Sequence, residues 1–390
     1  MAQKEIPLSV PNLDIEIVEH LKECIQTGWV STGGRFISEF EEKVARYVGV
    51  KEAVSMQSGT AALHIALKVL GIRPGDLVLV PSLTFIAAVN PVTYVGAEPL
   101  FMDCDDSLCM DPEKVETFLK EECRFEKPGM IHKETGRRVA AILPVHIFGN
   151  LCDMGRFLNL SEAYQIPIIE DATEALGSYY TDGPLKGRFA GTIGKIGVYS
   201  FNANKIITTG GGGMIVSHDQ ALLEHARYLG IQAKNNTLFF QHDEIGYNYR
   251  MLNLQAALGV SQIDRLEAFI QTKTRNYELY KKYLAGTAGI SLLPFSKGQR
   301  SNHWFYSLVV EEGACGVSRN QLMEKLLEEG IQCRPLWKLI HTQKPYRECR
   351  SYQIEKAPYY ESHVLNIPCS TNLREEDVEY VSEMIRAITK

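Results

Sequence analysis

From Lys51 to about Glu170 the chain alternates between short runs of consecutive apolar residues and longer stretches in which apolar positions recur every three or four residues. Runs of this kind are the pattern of strands buried on both faces, and the longer repeat is that of helices packed over them. The spacing predicts strands over Ala53–Met56, Leu77–Pro81, Pro99–Asp103, Ala140–Val145 and Pro167–Glu170. Helices are predicted between them, over Gly59–Leu70, Phe85–Tyr94, Pro112–Glu121 and Met154–Tyr164. Such alternation implies an α/β domain built on a mostly parallel sheet. Upstream, Asp14–Thr27 reads as an amphipathic helix with Ile15, Val18, Leu21 and Ile25 on one face, ending near Gly28. Downstream, Ile196–Phe201 is a further strand, and Leu254–Leu284 reads as one long helix with an interruption at Gly259. Beyond it, a strand (Trp304–Val310), a helix (Arg319–Glu329), a strand (Ile331–Arg334) and a helix (Glu375–Ile388) predict a second, smaller α/β domain. The expected division is a large domain over residues 1–260 and a small C-terminal one over 261–390. The charged stretch 122–138, with turn signals at Lys127-Pro-Gly and Thr135-Gly-Arg-Arg, reads as a surface insertion with the punctuation of a hairpin.

Composition narrows the class without naming it. A chain of 390 residues, 45% apolar and 23% charged, matches an ordinary soluble globular protein of two domains. A net charge of −6 without any lysine or arginine run leaves no electrostatic case for nucleic acid or an anionic membrane. The first residues lack an apolar core of a leader, and no stretch approaches the roughly 18 apolar residues of a membrane span, so a cytoplasmic location is expected. Nine cysteines, odd in number and without a C-x-x-C pair, read as free thiols; neither a disulfide framework nor a metal site is expected.

The candidate chemistry centres on Ser200-Phe-Asn-Ala-Asn-Lys205-Ile-Ile-Thr-Thr and the tetraglycine Gly210–Gly213. A lysine in so apolar a setting loses solvation, its charged form is disfavoured, and the free amine can form a Schiff base with a carbonyl. The plainer reading is a surface lysine at a hairpin end. Two more segments bear on the choice. Pro167-Ile-Ile-Glu-Asp171-Ala-Thr-Glu174 is a buried strand ending in carboxylates, where a parallel sheet opens into a ligand crevice; the plainer alternative for Asp171 is a helix cap. Gln57-Ser-Gly59-Thr60-Ala-Ala places small residues between a strand and a helix N-terminus, a cradle for an anion. An amine, a buried acid and a phosphate cradle are what pyridoxal 5′-phosphate requires. By contrast, Gly191-Thr-Ile-Gly-Lys-Ile-Gly has the wrong spacing for a dinucleotide loop and precedes a strand instead of linking one to a helix.

These blocks, with Gly246-Tyr-Asn-Tyr-Arg-Met, resemble in order and spacing the signature blocks of the DegT/DnrJ/EryC1/StrS sugar aminotransferases, over most of the chain from Ile6. The resemblance implies fold type I of the pyridoxal-phosphate transferases (aspartate-aminotransferase-like), with Lys205 and Asp171 catalytic. It assigns Gly59, Thr60 and Ser200 to the phosphate, Phe85 to the ring face, Glu174 to the neighbourhood of the 3′-oxygen, and Asn248 to the phosphate of the other subunit. Glu174 departs from the histidine or glutamine often found there. Trp29, Ser31, Thr32, His303 and His341 become substrate-site candidates. The implied reaction moves an amino group from L-glutamate, through pyridoxamine 5′-phosphate, to the C4 keto carbon of a nucleotide-linked sugar in a homodimer with shared sites. The branch most resembled acts on UDP-4-keto-6-deoxy-N-acetylglucosamine; dTDP- and GDP-linked ketosugars stay open. Related dehydratases carry histidine in place of the lysine, and a degenerate copy could be a non-catalytic regulatory protein, but intact Lys205, Asp171 and Ser200 argue against both.

Overall fold

The computed structural model describes residues 5–127, 129–236 and 238–389, and among these, seven strands before residue 220 form the body of the central sheet, to whose edge a short eighth is added from near the C-terminus. The seven are β1 (Ala53–Met56), β2 (Leu77–Pro81), β3 (Glu98–Met102), β4 (Val139–Ile142), β5 (Ile169–Asp171), β6 (Ile196–Ser200) and β7 (Gly213–Val216). Backbone pairing runs β1-β7-β6-β5 and β3-β2-β4. Parallel bridges Ile142–Ile168 and Val145–Asp171 join the two halves into one sheet. Only β7 is antiparallel to its neighbours, while β2, β3, β4, β5 and β6 pair in parallel. The reason is local: a parallel return needs a crossover, usually helical, and the chain between β6 and β7 is a helix-free loop. The strands are buried along nearly their whole length, as consecutive apolar runs require.

Helices α1 (Ile17–Thr27), α2 (Arg35–Val48), α3 (Gly59–Val69), α4 (Asn253–Asp264) and α5 (Leu266–Tyr283) pack around this sheet or lead away from it. The segment expected as one helix over 254–284 breaks at Arg265, between α4 and α5, and not at Gly259. Gly259 lies within α4 as a close-packing site: the Phe40 ring of α2 fills its side-chain space, and a Cβ there would lie 2.7 Å from the ring. The expected helix 85–94 splits into a 3-10 turn (Ile86–Ala88) and a helix (Asn90–Tyr94), with Pro91 in the first turn of the latter. The largest departure is α1. Ile17 and Cys24 are its buried residues, whereas three of the four predicted apolar positions are turned outward, Ile15 just before the helix at 80%, Val18 at 50% and Ile25 at 69% exposed, and only Leu21 packs on the core.

The insertion at 122–138 contains a hairpin, Cys123–Glu126 against Gly129–His132; Pro128, in the expected turn signal, lies outside the described residues. A second sheet, wholly antiparallel, orders Ile290–Leu292, Tyr306–Val310, Val364–Ile367 and Arg334–Pro335. Two further pairings tie distant parts of the chain together: Ile6 makes an isolated parallel bridge to Ile331, and Ser351–Tyr352, from between two strands of the second sheet, joins the outer edge of β3 in parallel. One continuous apolar core, including Val54, Phe101, Tyr306 and Leu365, spans both sheets. All nine cysteines are unbridged and eight are buried. Among the described residues no helix is long and apolar enough to cross a membrane.

Candidate active site

Strand ends β2, β5 and β6 and the N-terminus of α3 open into a cavity of about 310 Å³. Its lining includes Ser58, Gly59, Thr60, Thr84, Phe85, Asp171, Glu174, Ser200, Lys205 and Trp304. Seven of the residues read from the sequence (Gly59, Thr60, Phe85, Asp171, Glu174, Ser200 and Lys205) therefore meet around one space.

Lys205 follows β6 in a turn closed by its own N–H donating to Asn202 O at 3.0 Å, and the buried Ile206 and Ile207 hold the turn down. Its side chain is only 12% exposed, with Nζ 4.0 Å from Glu174 Oε1 and 3.8 Å from the centroid of the Trp304 ring. Burial pushes the ammonium below its usual range, against the pull of the Glu174 and Asp171 carboxylates. Glu174 is the counterpart. Burial drives its carboxyl up to about 7, opposed by Lys205, and its Oε2 accepts the Phe148 N–H at 2.8 Å.

Asp171 closes β5. Its Oδ1 accepts the Thr173 N–H at 3.0 Å, and burial raises its carboxyl, with no ion pair to it among the described residues. A buried acid of this kind is ready for a cation. The neighbouring Glu170 points to the opposite face of the strand, and the sequence reading assigned it nothing. It accepts the N–H groups of Gly191 (2.8 Å), Ile193 (2.5 Å) and Gly194, together with His146 Nε2 at 3.1 Å. The Cys152 N–H donates to His146 Nδ1, so the ring hydrogen is on Nε2 and points at the carboxylate. The glycine-rich run at 191–197 thus does gather N–H groups on an anion, and the anion is the protein's own glutamate.

At the opposite wall Ser58 caps α3, its Oγ accepting the Ala61 N–H at 3.1 Å, while the Ala62 N–H reaches Ser58 O. The N–H groups of Gly59 and Thr60 are left over for a ligand. Only glycine fits at 59, where a Cβ would lie 2.9 Å from Ser200 Cβ, and at 213, where it would lie 2.4 Å from Ser58 O. Thr84 adds a buried hydroxyl that lines the cavity and has no hydrogen-bond partner among the described residues. Leftover helix N–H groups beside a serine, an amine opposite a buried acid, and an orphaned hydroxyl fit pyridoxal phosphate.

The other sequence candidates lie outside the cavity of their own chain. Trp29, Ser31, Thr32 and Asn248 are exposed. The Trp29 loop is tied down by Asn253, which donates to Trp29 O at 2.7 Å and accepts the Phe36 N–H at 3.1 Å. His303 packs on Tyr277 and Phe295, with its pKa pushed down to about 4 by burial. His341 sits behind β2, its Nδ1 2.6 Å from Ser82 Oγ. In their stead Trp304, next to His303, and Trp337, near His341, line the cavity. No sequence signal separated these aromatics from core residues.

Fold and site together define a pyridoxal-phosphate-dependent aminotransferase of fold type I. More narrowly, the chain belongs to the DegT/DnrJ/EryC1/StrS aminotransferase family, whose profile matches residues 11–386. It is 35% identical over 387 residues to the protein EpsN of Bacillus subtilis (strain 168), covering 98% of this chain and 95% of that one. It is 35% identical over 378 residues to GDP-perosamine synthase of Caulobacter vibrioides, covering 96% of each. The crystal structure of DesI in the presence of its TDP-sugar product superposes with a TM-score of 0.87 at 26% identity, covering 100% of this chain and 94% of that one. The relatives are sugar aminotransferases, and this is a nucleotide-sugar aminotransferase family.

Proposed function

We propose that this chain acts in the cytoplasm as a homodimer that transfers the amino group of L-glutamate to the C4 keto carbon of a nucleotide-linked 4-keto-6-deoxy sugar. The observation that carries the reading is the Lys205 amine, buried between Glu174 and Trp304 in a cavity that also holds Asp171 and the α3 N-terminus. Pyridoxal phosphate, when bound, supplies the electron sink for a carbon that loses its proton. The N–H groups of Gly59 and Thr60 and the Ser200 hydroxyl would hold its phosphate, Asp171 its ring nitrogen, and Phe85 its ring face. Lys205 Nζ would carry the proton from the α-carbon of glutamate to C4′ of the cofactor in one half-reaction, and from C4′ to C4 of the sugar in the other. Glu174, its carboxyl raised by burial to about 7, would donate to or accept from the cofactor's 3′-oxygen.

The dimer reading is supported by the outward apolar face of α1 and the exposed Trp29, which leave a patch of the kind that a second copy covers. Asn248, exposed on its own chain, would then complete the partner's phosphate site, with Trp29, Ser31 and Thr32 at the substrate mouth. We keep UDP-4-keto-6-deoxy-N-acetylglucosamine as the sugar, on the resemblance described above. A GDP-linked sugar is the second reading, favoured by the identity to GDP-perosamine synthase. In a competition among UDP-, dTDP- and GDP-linked 4-keto-6-deoxy sugars, followed by mass spectrometry, the N-acetylated UDP sugar is expected to win by about 10²-fold or more, because a site built to bond an amide rejects a sugar lacking it. Preference for a GDP sugar selects the second reading.

Glu174 gives the proposal a pH signature. Its pKa rises from an unfolded 4.5 to about 7 in the fold, so the stability it contributes is complete below 4.5 and is lost as pH rises through 7. Cofactor-free Glu174→Gln is therefore expected to gain about 1 to 3 kcal/mol on the wild type between pH 5 and pH 8. Denaturant unfolding at the two pH values measures this; a difference that does not change with pH would contradict the buried, titrating carboxyl.

A further inference from the structure

Three hydrogen bonds hold Trp304, which is 3% exposed, with its ring face toward Lys205. Its backbone N–H donates to Asn302 Oδ1 at 2.9 Å and its indole Nε1–H to Asn204 O at 2.7 Å, one residue before the lysine. Its carbonyl accepts Lys273 Nζ at 3.0 Å. Asn302 in turn donates to Glu174 O and Leu176 O, both at 3.0 Å, so the frame that sets the indole also sets the glutamate. Lys273 is the odd member. It is 3% exposed on α5, makes no ion pair among the described residues, and spends its second hydrogen bond on Cys369 O at 2.5 Å. A buried lysine without a counter-ion is costly. What it achieves that methionine could not is to join two carbonyls from distant segments, and one of them belongs to Trp304.

We propose that Trp304 is the positioning residue for the free Lys205 amine, its indole face serving as the place where the amine waits, and that Lys273 moors that face. The inference rests on the role given to Lys205 above. An amine released inside a dry cavity must find a partner. A direct ion pair with Glu174 would hold the proton and trap the base; the present 4.0 Å separation is looser than a charged hydrogen bond. An aromatic face attracts a cation by about 0.5 to 2 kcal/mol, enough to keep the amine beside the cavity and too little to hold it there. Since the ring carries no net charge and no lone pair to accept a proton, the amine can give its proton up.

The test uses Trp304→Leu, Trp304→Phe and Lys273→Met, with Lys205 reactivity in cofactor-free protein followed against pH by acetic anhydride labelling and peptide mass spectrometry. In Trp304→Leu the midpoint for Lys205 is expected to move to lower pH, because the ring no longer favours the ammonium. The rate of the glutamate half-reaction should fall by about 2- to 30-fold, the attraction lost converted at 1.36 kcal/mol per tenfold, with little change in KM for glutamate. Trp304→Phe, which keeps a π face, should restore most of the midpoint, and Lys273→Met should shift it in the same direction as leucine but by less. A wild-type Lys205 profile in folded Trp304→Leu, or identical behaviour of the leucine and phenylalanine variants, overturns the proposal. If leucine at 304 prevents folding, Lys273→Met decides: an unshifted midpoint refutes the mooring and a shifted one supports it. Failure of the broader reading looks different, since Lys205→Ala would then retain activity.

Discussion

Lys205→Ala is expected to abolish amino transfer, with 2-oxoglutarate formation from glutamate falling by about 10⁴-fold or more. Among the described residues Lys205 is the only amine lining the cavity. A positioned acid–base group alone is worth about 10² to 10⁴ in rate, and the alanine variant loses the covalent anchor in addition. Borohydride reduction of the wild-type protein should fix a pyridoxyl group on the peptide that contains Lys205; recovery of the label on another lysine would refute the assignment. The same variant tests the shared site. Mixed with Asn248→Ala under conditions that exchange subunits, it should regain activity, because hybrid dimers contain one intact site. Hybrids that form yet stay inactive would place Asn248 elsewhere.

Glu170→Gln is expected to cost about 3 to 5 kcal/mol of folding stability, although the side chain keeps its shape. The carboxylate accepts from Gly191, Ile193, Gly194 and His146 and is fully buried. An amide can keep one oxygen in place, but its NH₂ then faces two donors on the other side, leaving buried N–H groups unpaired. Glu170 anchors the strand end that carries Asp171, so activity should fall along with stability. Urea unfolding followed by circular dichroism reads the first effect, and a loss below about 1 kcal/mol, the worth of one ordinary hydrogen bond, would show that the cluster does not clamp the loop.

The parts of this fold that were legible in sequence are those in which local chemistry decides. Ala53–Met56 and Leu77–Pro81 have the predicted bounds because a strand buried on both faces is apolar throughout. Pro112–Glu121 starts where predicted because Asp111 caps Glu113 N at 2.8 Å and proline suits the first turn. The apolar blocks around Lys205 and Asp171 likewise pointed to two residues that line one cavity. Trp304 and Thr84 passed unnoticed because nothing around them in sequence marks them: Trp304 reaches Asn204 across 100 residues. Glu170 was a nearer miss. Strand side chains alternate between faces, so an adjacent Glu-Asp pair at a strand end sends only one acid toward the crevice and needs a separate partner for the other. The stripe on α1 was legible in the sequence, but not that Val18 and Ile25 would face outward, since periodicity reveals that a surface is apolar and not what covers it.

The bonds from residues 6–10 to segments beside the second sheet, at Ile331 and at Cys369 and Ser370, have a consequence for how the chain reaches this structure. Val10 N–H bonds Ser370 Oγ and Cys369 N–H bonds Leu8 O, contacts that close loops of some 360 residues. During synthesis those early residues must wait, unpaired, until nearly the whole polypeptide has emerged. Contacts of such separation gain nothing until the intervening chain is in place, so they form late and slowly. The last step of folding should therefore be the closing of this seam, and a ribosome stalled before residue 369 would carry a chain with the central sheet assembled and the Leu8–Val10 strap still loose.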